Sequence, residues 1–175
     1  MTAGAIHPAA LDDDALLAQC SVGTSRTGGP GGQHRNKVET AVVLTHQPTG
    51  VSAKASERRS QVENKRVALR RLRLNLAIVH RLLPRQAKGL GEITSDLWRR
   101  RRQGGRLPCN PENKDYPALL AEAMDILADS GWDPKKAGLR LGVTPTQLIR
   151  LCKGAAPAIV RINEARQSLG LHALH

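Results

Sequence analysis

The chain has 175 residues, and its 27 Lys and Arg against 15 Asp and Glu give a formal net charge of +12 and a pI near 10.6. That length holds one ordinary domain or two small ones, and that charge calls for a polyanionic partner, nucleic acid or an anionic membrane. Three cysteines, Cys20, Cys109 and Cys152, lie far apart with no Cys-x-x-Cys spacing, so neither a disulfide framework nor a metal site is expected, and no cofactor pattern is present.

No apolar run reaches the length of a membrane span, and "MTAGAIHPAALDDDALL" has an acidic cluster where a signal peptide carries positive charge, so a cytoplasmic protein is expected. With no Phe, one Tyr and two Trp, the chain lacks platforms for stacking unpaired bases. Binding is expected to run through phosphates and shape. The charge is uneven: residues 1–106 hold 19 Lys and Arg against 8 Asp and Glu, while residues 107–175 hold 8 against 7. The first part is the polyanion binder.

In chain order, "HPAALDDDALLAQC" predicts a loop and a short helix with Asp12, Asp13 and Asp14 in its first turn, where negative charge suits the helix dipole. "KVETAVVLTH" and "GVSAKAS" alternate and are rich in β-branched residues, and the "QPTG" between them suits a tight turn. A hairpin follows, with His46 supporting the strand-turn junction and Thr49 and Gly50 in the turn. From Ser56, apolar residues at three- and four-residue steps predict one long helix, N-capped at Ser56 and ended by Pro84. Ten Lys and Arg against one acid between residues 58 and 88 make its face Lys65, Arg66, Arg70, Arg71 and Arg73 a candidate RNA rail. Arg58, Arg59, Ser60, Gln61 and Asn64, at the helix start, serve either RNA contact or loop support.

Residues 85–117 are rich in Pro, Gly and charge without periodicity and read as a basic linker. Residues 118–175 contain four short helical segments, within which "KKAGLRLGVTPTQLIRLCKG" has helix-turn-helix spacing. Gly142 permits the turn, and Thr144 and Pro145 start the next helix. In a DNA reader Thr146, Gln147 and Arg150 would face the groove; RNA contact and a plain structural role are the alternatives. Trp98 and Trp132 are expected to pack locally. The expected architecture is α+β: residues 1–84 as a small mixed domain, then the linker, then the all-helical unit.

The glycine-rich stretch "RTGGPGGQHRNK", residues 26–37, precedes the hairpin. Clustered glycines free the backbone to take positive φ and let its amides approach another molecule. A phosphate-binding loop needs GxxxxGK[ST] or GxGxxG opening a helix, and this loop runs into a strand. A flexible linker rarely carries "QHRNK" straight into a patterned strand. The remaining reading is a probe whose Gln33 enters a tight pocket.

The segment "GGPGGQHRNKVETAVVLTHQPTGVSAKASERRSQVENKRVALRRL" resembles the catalytic domain of class I peptide chain release factors, defined by its Gly-Gly-Gln motif. The glutamine loop, the His-x-Asn-Lys after it, the His-x-Pro-Thr-Gly turn and the Arg-Ser-Gln-x-x-Asn-Lys segment recur in order. The resemblance implies hydrolysis of the peptidyl-tRNA ester in the ribosomal peptidyl transferase centre, with 23S-type rRNA and peptidyl-tRNA as partners. It implies that Gly31 and Gly32 let Gln33 reach the ester and that Gln33 carries the chemistry. Arg26, His34, Arg35, Asn36 and Lys37, with Arg58, Arg59, Lys65, Arg66 and Arg70, would hold rRNA backbone. The chain departs from the family in Gly28, where many members have Ser, and in Arg35, where Val is common. Nothing in the first 25 or last 70 residues resembles a stop-codon reader, so the expectation is a codon-independent, rescue-type hydrolase. The rescue hydrolases' basic tail has no clear counterpart, because a patterned helical unit follows Arg99 to Arg106. The rivals are a nucleic-acid-binding regulator built on the helix-turn-helix and a ribosome-binding relative without hydrolytic activity.

Overall fold

A computed structural model describes residues 6–25, 40–82 and 94–174. The chain divides into two compact units, Pro8–His80 on one hand and Met1–His7 with Arg81–His175 on the other. The whole is α+β.

The Pro8–His80 unit opens with a single 3-10 turn, Pro8–Ala10, and helix α1, Asp13–Ala18. Asp12 caps α1, its carboxylate accepting from Ala15 N at 2.7 Å. Strands β1 (Cys20–Ser25), β2 (Ala41–His46) and β3 (Ser52–Ala55) form an antiparallel sheet in the order β1-β2-β3. Helix α2, Gln61–Val79, packs on β2 and β3. Its buried positions Asn64, Ala68, Leu72 and Leu76 recur every four residues, a stripe that faces the sheet. Under it Ala53 and Ala55 alternate with exposed Ser52 and Lys54, so small side chains let helix and sheet approach. Burying Leu44, Leu72 and Leu76 completely contributes about 2 kcal/mol each.

The N-cap of α2 is Ser60, not Ser56: its hydroxyl accepts from Glu63 N. Ser60-Gln-Val-Glu63 has the serine-to-glutamate spacing of a capping box, a signal that Ser56 lacks. The helix ends at His80, before the proline. Val62 and Val79, apolar positions of the helical pattern, are exposed and contribute nothing to the core.

The second unit contains helices α3 (Asp96–Arg101), α4 (Tyr116–Asp129), α5 (Pro134–Leu141), α6 (Pro145–Lys153) and α7 (Ala156–Ser168). Helix α4 is apolar on most of its surface and packs against α5 and α6, while α7 packs on α6. The stretch read as linker is in part built structure. Helix α3, capped by Ser95, buries Trp98 completely, and the indole Nε1 donates to Leu141 O at 2.9 Å. Trp98 therefore packs 43 residues away rather than locally. Tyr116 does the same at the opposite end of the motif, its hydroxyl donating to Leu151 O at 2.8 Å.

The α5–α6 corner has helix-turn-helix form. Asp133 caps α5, Gly142 ends it at φ 63°, Val143 N returns to Gly138 O at 3.0 Å, and Thr144 caps α6. Gly138 is required by space: a Cβ there would lie 2.7 Å from Val143 O.

Candidate functional site

The residues with the strongest chemical signal, Gly31, Gly32 and Gln33 with Arg26, His34, Arg35, Asn36 and Lys37, lie outside the described residues. What is described is the frame that carries them. Strands β1 and β2 pair from Cys20↔His46 to Ser25↔Ala41, so the ladder holds the two ends of the intervening segment side by side.

Asn64 fixes the far end of that segment. It is fully buried; its amide donates to Thr40 O at 2.7 Å and to Arg58 O at 2.9 Å, while its carbonyl accepts from Arg58 N at 2.9 Å. One side chain thus ties the root of the loop, the approach to α2 and the helix itself together. Of the two roles open to Asn64, this geometry is loop support.

The turn end of the sheet is fastened by His46. The imidazole is buried, with Nδ1 2.7 Å from Thr49 Oγ1 and Nε2 2.9 Å from Gln19 Oε1. Since the Gln19 oxygen only accepts, Nε2 carries the proton and Thr49 donates to Nδ1. Val51 N in turn donates to Thr49 Oγ1 at 3.3 Å, and Gly50 supplies a positive φ of 71° that closes the turn. Burial, and secondarily the charge of His80, lowers the His46 pKa, so the ring is neutral. The sequence reading of His46, Thr49 and Gly50 matches this; Gln19 as the third partner had no local signal.

Two arginines of the basic face make contacts within the fold. Arg71 donates to Lys54 O at 2.8 Å and pairs with Glu57, and Asn75, one turn on, donates to Ser52 O at 2.9 Å. Both thereby cover the carbonyls of edge strand β3. Arg73 turns back to Ala9 O at 3.1 Å, to Leu11 O and to Asp13 at 2.6 Å, stapling the N-terminal segment to α2. Arg71 and Arg73 are therefore engaged within the fold. Arg66 and Arg70 are exposed one turn apart, Lys65 is half-buried, and Arg58 and Arg59 are exposed just before the helix. Among the described residues no three His, Cys, Asp or Glu side chains gather at a point that could hold a metal ion, and no helix is long and apolar enough to cross a membrane.

A three-stranded antiparallel sheet with one long helix across it defines a small α+β domain whose strands β1 and β2 flank the glycine-rich segment in sequence. Residues 16–102 match the family model described as the RF-1 domain, and this stretch of the chain is a class I release-factor GGQ domain. The chain is 54% identical over 55 residues to the chloroplastic peptide chain release factor PrfB1 of Arabidopsis thaliana, covering 31% of this chain and 12% of that protein. It is 43% identical over 74 residues to peptide chain release factor 1 of Chloroherpeton thalassium, covering 41% and 21%. Against mitochondrial peptide chain release factor 1 of Bos taurus it is 41% identical over 70 residues, covering 40% and 16%. The chain thus spans at most about a fifth of the length of these relatives.

Proposed function

We propose that the chain hydrolyses the ester of peptidyl-tRNA on the ribosome without reading a codon, using Gln33. The observation that carries this is the Gly-Gly-Gln sequence at 31–33 within the RF-1 match, on a segment whose ends are paired at Ser25↔Ala41 and buttressed by Asn64. The site is cytoplasmic, and the Pro8–His80 unit carries the chemistry.

In the reaction, water adds to the ester carbonyl carbon, the carbon–O3′ bond breaks, and the proton released by the water returns to the departing 3′-oxygen. The products are the free peptide acid and a tRNA 3′-hydroxyl. A carboxamide is no base at neutral pH, so Gln33 acts by position: its backbone N–H donates to charge developing on oxygen, and its side chain orients the water. Gly31 and Gly32 let the chain reach that point between RNA walls. Arg26, His34, Arg35, Asn36 and Lys37, then Arg58, Arg59, Lys65, Arg66 and Arg70, hold rRNA phosphates and set the register.

Two variants separate the roles of Gln33. Gln33→Ala keeps the N–H and removes the amide side chain, and it lowers the rate of peptide release at saturating protein. Gln33→Pro removes the N–H as well, and costs about a further 10²–10³-fold if that donor serves the oxyanion. Wild-type release by Gln33→Ala would remove the basis of the proposal.

A further inference from the structure

The helical unit contains a groove that the Gly-Gly-Gln chemistry does not use. It has a volume of about 1030 Å³ and runs between helix α6 and the strap of residues 103–111. One wall is the exposed side of α6, where Gln147, Arg150 and Lys153 stand at three-residue steps. The other wall carries Arg106, with buried Leu107 beneath it.

The groove is preformed. Gln103 and Arg106 exchange backbone hydrogen bonds of 2.9 and 3.1 Å around Gly104, whose φ is 59°, and Thr144 N at the start of α6 donates to Gly105 O at 3.2 Å. At the other end the strap closes on Gly154, where a Cβ would meet Pro111 Cγ and the Tyr116 hydroxyl, each at 2.8 Å. Walls fixed at both ends need little ordering when a ligand enters.

Its charge is one-sided. Elsewhere in this unit Arg81, Arg99, Arg101, Arg140 and Arg161 each pair with a carboxylate. Among the described residues the side chains of Arg106, Arg150 and Lys153 pair with none, and no Asp or Glu lines the groove. Three cations converge on an open channel without an internal anion to neutralise them.

The shape selects among nucleic acids. A duplex reader inserts a projecting helix into a major groove about 12 Å wide, whereas the strap 103–111 fences the Gln147–Lys153 side of α6 into a concavity. The aromatic ring in the lining, Tyr116, is buried with its hydroxyl bonded to Leu151 O, so it offers no face for a base. We propose that this groove binds the phosphodiester backbone of single-stranded RNA independently of sequence, through Arg106, Arg150 and Lys153. The choice of RNA rests on the ribosomal reading above; the groove and its charges do not.

Cys109, half-buried in the lining, provides a local reporter, while Cys20 reports on the other unit and Cys152 is buried. The test uses the full chain and a labelled 12-nucleotide oligo(U). Binding is titrated against salt for wild type and for Arg106→Gln/Arg150→Gln/Lys153→Gln, with alkylation of Cys109 followed in parallel. Three lost phosphate contacts make the plot of log affinity against log salt shallower by about 2 in the variant. Oligo(U) slows Cys109 alkylation in wild type and not in the variant, and Arg150→Lys restores part of the protection. The proposal is overturned if oligo(U) leaves the Cys109 rate unchanged, if polyglutamate protects equally well, or if one duplex DNA sequence displaces the RNA. Because oligo(U) binding needs no ribosome and no Gln33, these outcomes stand apart from success or failure of the hydrolysis reading.

Discussion

Asn64 does more for the site than any other described side chain. Its Cδ-less amide satisfies Thr40 O, Arg58 O and Arg58 N in a position with no solvent access. Truncation to Ala leaves these backbone groups without their partner, and buried unsatisfied groups cost about 1–3 kcal/mol each before relaxation. Asn64→Ala is expected to destabilise the Pro8–His80 unit by about 2–3 kcal/mol in urea unfolding. Asn64→Asp does no better, since a carboxylate cannot donate to two carbonyls. His46 yields a pH dependence. Its folded pKa lies below the ordinary 6.5, so the unfolded chain takes up a proton first as pH falls. The stability it contributes is fully present above pH 6.5 and is lost progressively below it; the urea midpoint measured from pH 8 to pH 5 falls in wild type, and less in His46→Gln. The residue scale is also where sequence reading was least complete. Arg71 and Arg73 sit in a basic run like any RNA-facing row, and the backbone carbonyls they reach include Lys54 O and Ala9 O, 17 and 64 residues distant in the chain. No local pattern distinguishes a staple from a rail.

At the scale of elements the legible features were those with long periods or strong punctuation. The β2–β3 hairpin and α2 follow from alternation and from a four-residue stripe, and the α5–α6 corner from Gly142 and a Thr-Pro start. Helix α3 escaped because six residues are too few to show a period, and its single apolar anchor, Trp98, is surrounded by arginines. The corner makes a specific demand. Gly138→Ala would place a methyl 2.7 Å from Val143 O, a backbone atom that cannot swing away. The expected cost is about 2 kcal/mol or more, read as a lower melting temperature of the full chain, with α5 and α6 shifted apart. The Arg81–Asp125 pair, 2.9 Å apart with Leu82 N also donating to Asp125, is the half-buried ion pair at the start of this unit. Burial pushes the Asp125 carboxyl up to about 6 and lowers the Arg81 guanidinium, so desolvation outweighs mutual attraction on both sides.

At the scale of the molecule, one chain combines a release-factor GGQ domain with a helical unit whose groove has its own cations. The charge division seen in the sequence survives in altered form. In the Pro8–His80 unit Arg71 and Arg73 are engaged within the fold, while in the second unit Arg106, Arg150 and Lys153 stand along α6 and the strap without a carboxylate partner among the described residues. Net charge concealed that groove, because the acids that balance it are engaged elsewhere with Arg81, Arg101 and Arg140. The Gly-Gly-Gln stretch, by contrast, was read through four segments that recur in order and resemble the release factors, and its residues lie outside the described ones.

The most direct test is single-turnover peptide release from ribosomes carrying peptidyl-tRNA, with the decoding site empty of messenger, holding a sense codon, or holding a stop codon, and Gln33→Ala as control. Release that is indifferent to codon identity, present with the channel empty and slowed in Gln33→Ala, is the expected result. Release confined to the stop codon, or none in any state despite intact ribosome binding, would contradict codon-independent hydrolysis by this chain.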